Sequence, residues 1–138
     1  MAAVTDTVPL VMRFIRREMR SAAQPALSVP QLRALLFVKR NPDVNLSALA
    51  DHLGVGLAAA SGLVDRLVRQ QLLDRSTDPR ERRRIRLSLT SDGLARLDTA
   101  SAATRRALQA RFEGMSDEDA AALERAMEYL RERLGEAQ

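Results

Sequence analysis

Between Leu46 and Leu67 the chain places small and apolar residues at separations that suit two short helices crossing through a tight turn. Counting from Leu46, Ala50 falls where two such helices approach most closely, and Gly54 permits the turn. Leu49, Leu53, Val55, Ala60 and Leu63 fill the apolar positions between them. What comes next in the chain has a different period. Ile85, Leu87 and Leu89 alternate with Arg84, Arg86 and Ser88, the pattern of a strand with one buried face, and residues 73–76 can pair with it. Residues 77–83 join the two as a loop with a turn-forming Asp78-Pro79 and a basic tip. Two crossing helices followed by a hairpin with charged fingers describe a winged helix-turn-helix. The competing reading of the helices alone is a small helical core with a glycine turn that touches no nucleic acid.

The rest of the chain reads as helices on either side of this unit. Residues 8–20 set Leu10, Val11, Phe14, Ile15 and Met19 against Arg13, Arg16, Arg17 and Arg20, which makes an amphipathic first helix. Pro30 stands where an N1 proline starts a second helix carrying Leu32, Leu35, Leu36 and Val38, and Asn41-Pro42 stops it. A third helix spans 46–53, capped by Gly54, and a fourth begins near Leu57 and runs to about Leu72 with Leu63, Val64, Leu67 and Val68 as its buried stripe. Thr90 or Ser91 caps a long helix through Leu94, Leu97, Ala100, Ala103 and Leu108, ended by Gly114. Ser116 with Asp119 resembles a capping box ahead of a last helix striped by Leu123, Met127, Leu130 and Leu134. The expected fold class is mainly α with a small β-hairpin, a single domain over 1–138. Within it, 30–90 form the winged lobe, and 8–27 and 92–138 form helices whose apolar stripes need a second copy to cover them.

Charge placement agrees with this reading. Residues 65–86 hold eight arginines and four acids, so their excess equals the whole chain's net charge of +4 and the remainder is balanced. A basic segment in an otherwise balanced domain is the footprint of a phosphate-backbone binder, although a solvated, ion-paired face has the same composition. Cysteine is absent and His52 is the lone histidine, which excludes thiolate sites, disulfides and histidine-rich metal sites. His52 itself reads as structural. There is no phosphate-binding glycine loop and no Ser-His-Asp set, so no enzyme and no cofactor is expected. No basic leader precedes an apolar run, and no stretch of about 18 apolar residues occurs, so the expected location is the cytoplasm.

The order helix, helix, helix-turn-helix, basic wing, long helix, final helix resembles the multiple-antibiotic-resistance regulator (MarR) family over essentially the whole chain. The residues that carry the resemblance are Leu63-Val64-Asp65-Arg66-Leu67, Asp78-Pro79-Arg80-Glu81-Arg82-Arg83, and Leu87-Ser88-Leu89-Thr90 with Gly93. The resemblance implies a homodimeric transcriptional regulator, usually a repressor, bound to a near-palindromic operator in double-stranded DNA. Each recognition helix would lie in the major groove and each wing in the adjacent minor groove. Ala58, Ala59, Ser61 and Gly62, near the start of the recognition helix, are then the candidates for base and phosphate contact beside Leu57. This sequence departs from the Ser, Pro and Thr usual there and from the Arg often found where Gly62 stands. Alanines can touch thymine methyls but supply no hydrogen bond, which moves weight onto the wing and groove width. Arg80, Arg82 and Arg83 are the wing candidates, and Arg66 and Arg69 are expected at phosphates.

The resemblance also pairs Asp65 with a wing arginine such as Arg83, which would orient the wing; the alternative is an exposed helical carboxylate. Glu81 stands in place of the usual Asp. Arg84 and Arg86 fit phosphate contacts or plain solvation. Phe14, Phe37, Phe112 and Tyr129 fit a pocket for a small aromatic or phenolic effector of the kind relatives bind, or ordinary core packing. A winged-helix module that binds protein partners without specific DNA binding is the rival to the regulator.

Overall fold

The computed structural model describes residues 1–23, 25–81 and 84–135. They form two compact units, residues 1–106 and 107–138. The elements in chain order are α1 (Ala2–Ala22), α2 (Val29–Arg40), β1 (Val44–Asn45), α3 (Leu46–Leu53), α4 (Leu57–Arg69), β2 (Leu73–Thr77), β3 (Ile85–Leu89), α5 (Ser91–Arg111) and α6 (Asp117–Leu134).

Local chemistry explains most of these boundaries. Ser28 caps α2 through a reciprocal box: Gln31 N donates to Ser28 Oγ at 3.2 Å, and Ser28 N donates to Gln31 Oε1 at 2.9 Å. Asn45 caps α3 by accepting from Ala48 N at 2.8 Å, and Gly54, at φ 70°, ends that helix in the left-handed conformation. Thr90 Oγ1 accepts from Gly93 N at 2.9 Å at the start of α5, and Ser116 Oγ accepts from Asp119 N at 3.1 Å before α6. The first helix begins six residues earlier than the apolar pattern suggested and carries Pro9 inside it. One missing N–H is a local loss that the flanking turns tolerate.

The core of the first unit is aliphatic. Leu32, Leu35 and Val38 of α2, Leu49 of α3, Val64 and Leu67 of α4, Leu73 and Leu87 of the sheet, and Leu97 of α5 are all buried. The sheet has the order β1-β3-β2, antiparallel throughout, with Leu73 opposite Leu89, Thr77 opposite Ile85, and Val44 opposite Leu87. The sequence pattern gave a two-stranded hairpin. The third strand, β1, is two residues long, too short for any period to show.

The stripe of α5 also differs from the expected one. Gly93, Leu97, Ala100 and Thr104 are its buried residues, whereas Leu94 is exposed. The inward face therefore includes a threonine, whose hydroxyl donates to the Ala100 carbonyl at 2.9 Å and so enters the core satisfied. In the second unit α6 buries no residue, and Leu123, Met127, Tyr129 and Leu134 are exposed. Among the described residues no single helix is long and apolar enough to cross a membrane.

Candidate nucleic-acid interface

Helix α4 follows α3 through the residues 54–56 turn and rests on the core through Ala60, Leu63, Val64 and Leu67. Its helical period sends the intervening residues outward. Ala58, Ala59, Asp65, Arg66 and Arg69 are exposed, and Ser61 and Gly62 are half-buried. Gly56 caps the helix without a side-chain hydrogen bond, so no side chain occupies the first N–H groups. Arg66 and Arg69 lie in the last turn, and neither forms an ion pair with a described residue.

The wing is tied to this helix by an ion pair. Arg75 Nη2 on β2 donates to Asp65 Oδ1 at 2.6 Å, with both side chains partly exposed. Asp65 therefore joins wing and recognition helix through the strand residue Arg75, while Arg83, the partner named as an example from the sequence, lies outside the described residues. The turn at Gln71 and Leu72 folds β2 back on α4, which brings the second outward residue of the strand beside the third turn of the helix. A register of that kind leaves no motif in the sequence.

The loop between β2 and β3 is organised by Asp78, which the sequence marked only as a turn former. Its carboxylate is buried. Oδ1 accepts from Arg80 N at 2.9 Å, and Oδ2 accepts from Arg86 Nη2 at 2.9 Å. The Arg80 backbone N–H holds the Asp78 pKa below the ordinary aspartate value, with further help from the Arg86 side chain and against a smaller opposing effect of burial. The backbone also closes the loop, with Asp78 N donating to the Arg84 carbonyl at 2.9 Å and Arg84 N donating to the Glu81 carbonyl at 2.8 Å.

Arg80 is exposed on this turn, whereas Arg82 and Arg83 lie outside the described residues. Two other wing arginines, Arg84 and Arg86, have carboxylate partners within the wing. Arg86 is committed to Asp78, and Arg84 Nε pairs with Glu81 Oε2 at 3.1 Å, with both of those side chains well exposed. The sequence signal for the Asp78 role is the Asp-Pro-Arg tripeptide, whose aspartate can accept from the N–H two residues on.

The Asp78 geometry predicts a pH-dependent wing. A carboxyl whose folded-state pKa lies below its ordinary value of 3.8 stabilises the fold above that value, and the contribution is lost as pH falls through the folded-state value. The wing turn should therefore be intact at neutral pH and loosen only in strong acid. Asp78→Ala removes the acceptor at every pH, so hydrogen exchange at the Arg80 amide should accelerate at pH 7 relative to the parent chain. Unchanged exchange at Arg80 would show that the turn is held by something else.

His52 and the four aromatic candidates also have definite places. His52 is exposed at the end of α3 and stacks on Phe37 of α2, with ring centroids 4.2 Å apart and an interplanar angle of 15°. Partial burial, then the charges of Arg33 and Arg40, lower its pKa, and Arg33 Nη2 donates to its carbonyl at 2.9 Å. The residue is a joint between α2 and α3. Phe14 is half-buried on α1, and Phe112 and Tyr129 are exposed in the second unit. A cavity of about 310 Å³ opens between the end of α2 and the start of α5, lined by Val38, Lys39, Pro42, Leu89, Thr90 and Leu94 among others; none of the four aromatics lines it. Among the described residues no group of three potential metal ligands comes together.

An outward-facing helix of a helix-turn-helix, ion-paired to a basic β-wing, defines a winged helix-turn-helix DNA-binding protein. Comparison with known proteins narrows this further. Residues 27–84 match the MarR family. The HTH-type transcriptional repressor IacR of Pseudomonas putida is 24% identical over 118 residues, 86% of this chain and 71% of that protein. A crystal structure from Mycobacterium tuberculosis is 27% identical and superposes with a TM-score of 0.81 over 99% of this chain and 92% of that one. The fold is also that of a transcriptional regulator from Thermotoga maritima, with a TM-score of 0.84 over the whole of both chains at 19% identity. The match of residues 27–84 to the MarR family and the relatives named as HTH-type transcriptional regulators support a winged-helix, DNA-binding regulator of transcription of the MarR kind.

Proposed function

We propose that the chain acts as a homodimeric, sequence-specific repressor that binds a near-palindromic operator, with α4 in the major groove and the β2–β3 wing in the adjacent minor groove. The observation that carries this reading is the Asp65–Arg75 pair, which fixes the exposed face of α4 and the wing as one surface. Ala58, Ala59, Ser61 and Gly62 face the groove floor, Arg66 and Arg69 face phosphates, and Arg80 with Arg82 and Arg83 forms the wing tip. Relatives named as repressors support the direction of regulation.

Dimerisation is supported by apolar surface that the single chain leaves open. Val8, Leu10, Val11 and Met12 of α1 are exposed, and α6 exposes Leu123, Met127 and Leu134 of its stripe. Residues 8–27 and 92–138 supply the dimerisation helices, and two-fold pairing spaces the two recognition helices for half-sites about one helical turn apart. A small aromatic or phenolic effector that relieves repression, and action in the cytoplasm, complete the proposal.

The test is a fluorescence-anisotropy titration with the DNA upstream of the protein's own gene and with a scrambled duplex, each at about 50 and 200 mM salt. Specific binding is expected to be tight, sequence-preferring and strongly salt-dependent, with a dimeric mass in light scattering. A monomeric mass at micromolar concentration removes the dimer, and absence of binding to either duplex favours the protein-interaction module.

A further inference from the structure

The end of α4 that would enter the groove is apolar. Val55 is 43% exposed and Leu57 55% exposed, and Ala58 and Ala59 next to them are exposed too, which makes a contiguous apolar patch. Ser61 is the one hydroxyl in residues 55–62, and it is half-buried. One turn beyond Ala58 stands Gly62, where an added Cβ would meet nothing within 4 Å, so the space in front of the helix is open.

A helix with ordinary side chains is about 10–12 Å across and the major groove about 12 Å wide, so a face of methyls and glycine lets the backbone sit deeper than usual. The bidentate hydrogen-bond readers of guanine and adenine edges are Arg, Lys, Asn and Gln, none of which lies in residues 55–62, and the one hydroxyl there, Ser61, is half-buried. The apolar feature of a base pair in the major groove is the thymine C5 methyl. The flanks favour a nucleic acid as occupant, since Arg66 and Arg69 follow on the same helix and Arg80 stands exposed on the wing.

Resting on the DNA-binding reading above, we propose that this protein obtains base specificity by apolar contact between Val55, Leu57, Ala58 and Ala59 and thymine methyl groups. Its operator half-sites should therefore carry thymines at fixed positions, read by shape and methyl burial instead of by hydrogen bonds.

The experiment uses the full chain and a duplex it selects from a random-sequence pool. The selected duplex is remade with uracil in place of every thymine, which removes only the C5 methyl and leaves the minor-groove edge unaltered. Each buried methyl is worth roughly fourfold in affinity, so two per half-site, four in the operator, predict a loss of roughly a hundredfold or greater. A scrambled duplex should change little on the same replacement. Leu57→Ala, at an exposed position where folding is not at stake, should shrink the thymine-to-uracil ratio.

Equal affinity for the thymine and uracil forms of the selected duplex would overturn methyl readout while leaving DNA binding intact. Failure to select any duplex would remove the DNA-binding reading and this one with it, and would assign the apolar face to a protein partner. An unchanged ratio in Leu57→Ala would take Leu57 out of the contact.

Discussion

Gly93→Ala is expected to cost the fold about 3 kcal/mol, the upper end of what overpacking usually exacts. A Cβ built on Gly93 lies 2.2 Å from the Leu72 carbonyl oxygen and 3.1 Å from its carbon, and both are backbone atoms that no rotamer change can move aside. The carbonyl is itself committed, since it accepts from Thr90 N at 3.2 Å, while Thr90 Oγ1 donates to the Gln71 carbonyl at 2.6 Å. Gln71 has a φ of 60°, so the turn that presents this carbonyl is already in a conformation few side chains adopt. To admit a methyl group, the start of α5 would have to lift away from the α4–β2 turn and break that lattice. The better helix propensity of alanine, up to about 1 kcal/mol, offsets only part of the loss. The measurement is a urea midpoint at fixed protein concentration, expected to fall with an unchanged m-value. Gly62→Ala is the matched control: it gains the propensity with no neighbour within 4 Å, and its midpoint should rise. If Gly93→Ala leaves the midpoint where it was, the close approach of α5 to Leu72 is not a feature of the protein in solution.

The contrast between these glycines shows what the sequence could and could not reveal. Spacing alone located α3 to the residue and put the start of α4 near Leu57, where it is observed, because Leu49, Ala50, Leu53, Gly54 and Leu63 each answer to a steric demand of two crossing helices; the end of α4, expected at about Leu72, comes at Arg69. Capping chemistry placed the start of α6, since Ser116 acts on the N–H three residues away, whereas the reading of α2 rests on Pro30 as its first residue and does not register the Ser28 cap, which starts the helix one residue earlier at Val29. Features set by tertiary register were not legible. The Asp65–Arg75 pair depends on how β2 returns along α4, and the commitment of Arg86 to Asp78 depends on the curl of the wing. An arginine in a basic run looks the same whether it meets a carboxylate or faces solvent. The wing therefore contains fewer free cations than its composition implied: of the arginines described there, Arg75, Arg84 and Arg86 have carboxylate partners, while Arg80 has none among the described residues.

That division decides which wing substitutions should matter. The double variant Arg80→Ala/Arg82→Ala removes side chains proposed for the wing tip, whereas Arg84→Ala breaks only an exposed pair with Glu81. Exposed pairs are worth little, so the second change should leave both stability and DNA affinity near those of the parent. In a dimer the double variant takes four cations from the DNA. Each lost phosphate contact lowers the slope of log affinity against log salt by about 0.9, which predicts a slope shallower by about 3 to 4. At about 0.1 M salt each such contact is worth close to a decade relative to 1 M, so the four together should lower the affinity by roughly a thousandfold or more. Asp78 still holds the turn in this variant, because it binds the Arg80 backbone N–H and not the Arg80 side chain. The loss therefore reports contact and not collapse of the wing, and exchange at the Arg80 position's amide checks that directly. Anisotropy titrations of the double variant and of Arg84→Ala across about 50 to 200 mM salt separate the outcomes. A double variant with parental affinity and slope would remove the wing tip from the interface and leave α4, with Arg66 and Arg69, to hold the DNA alone.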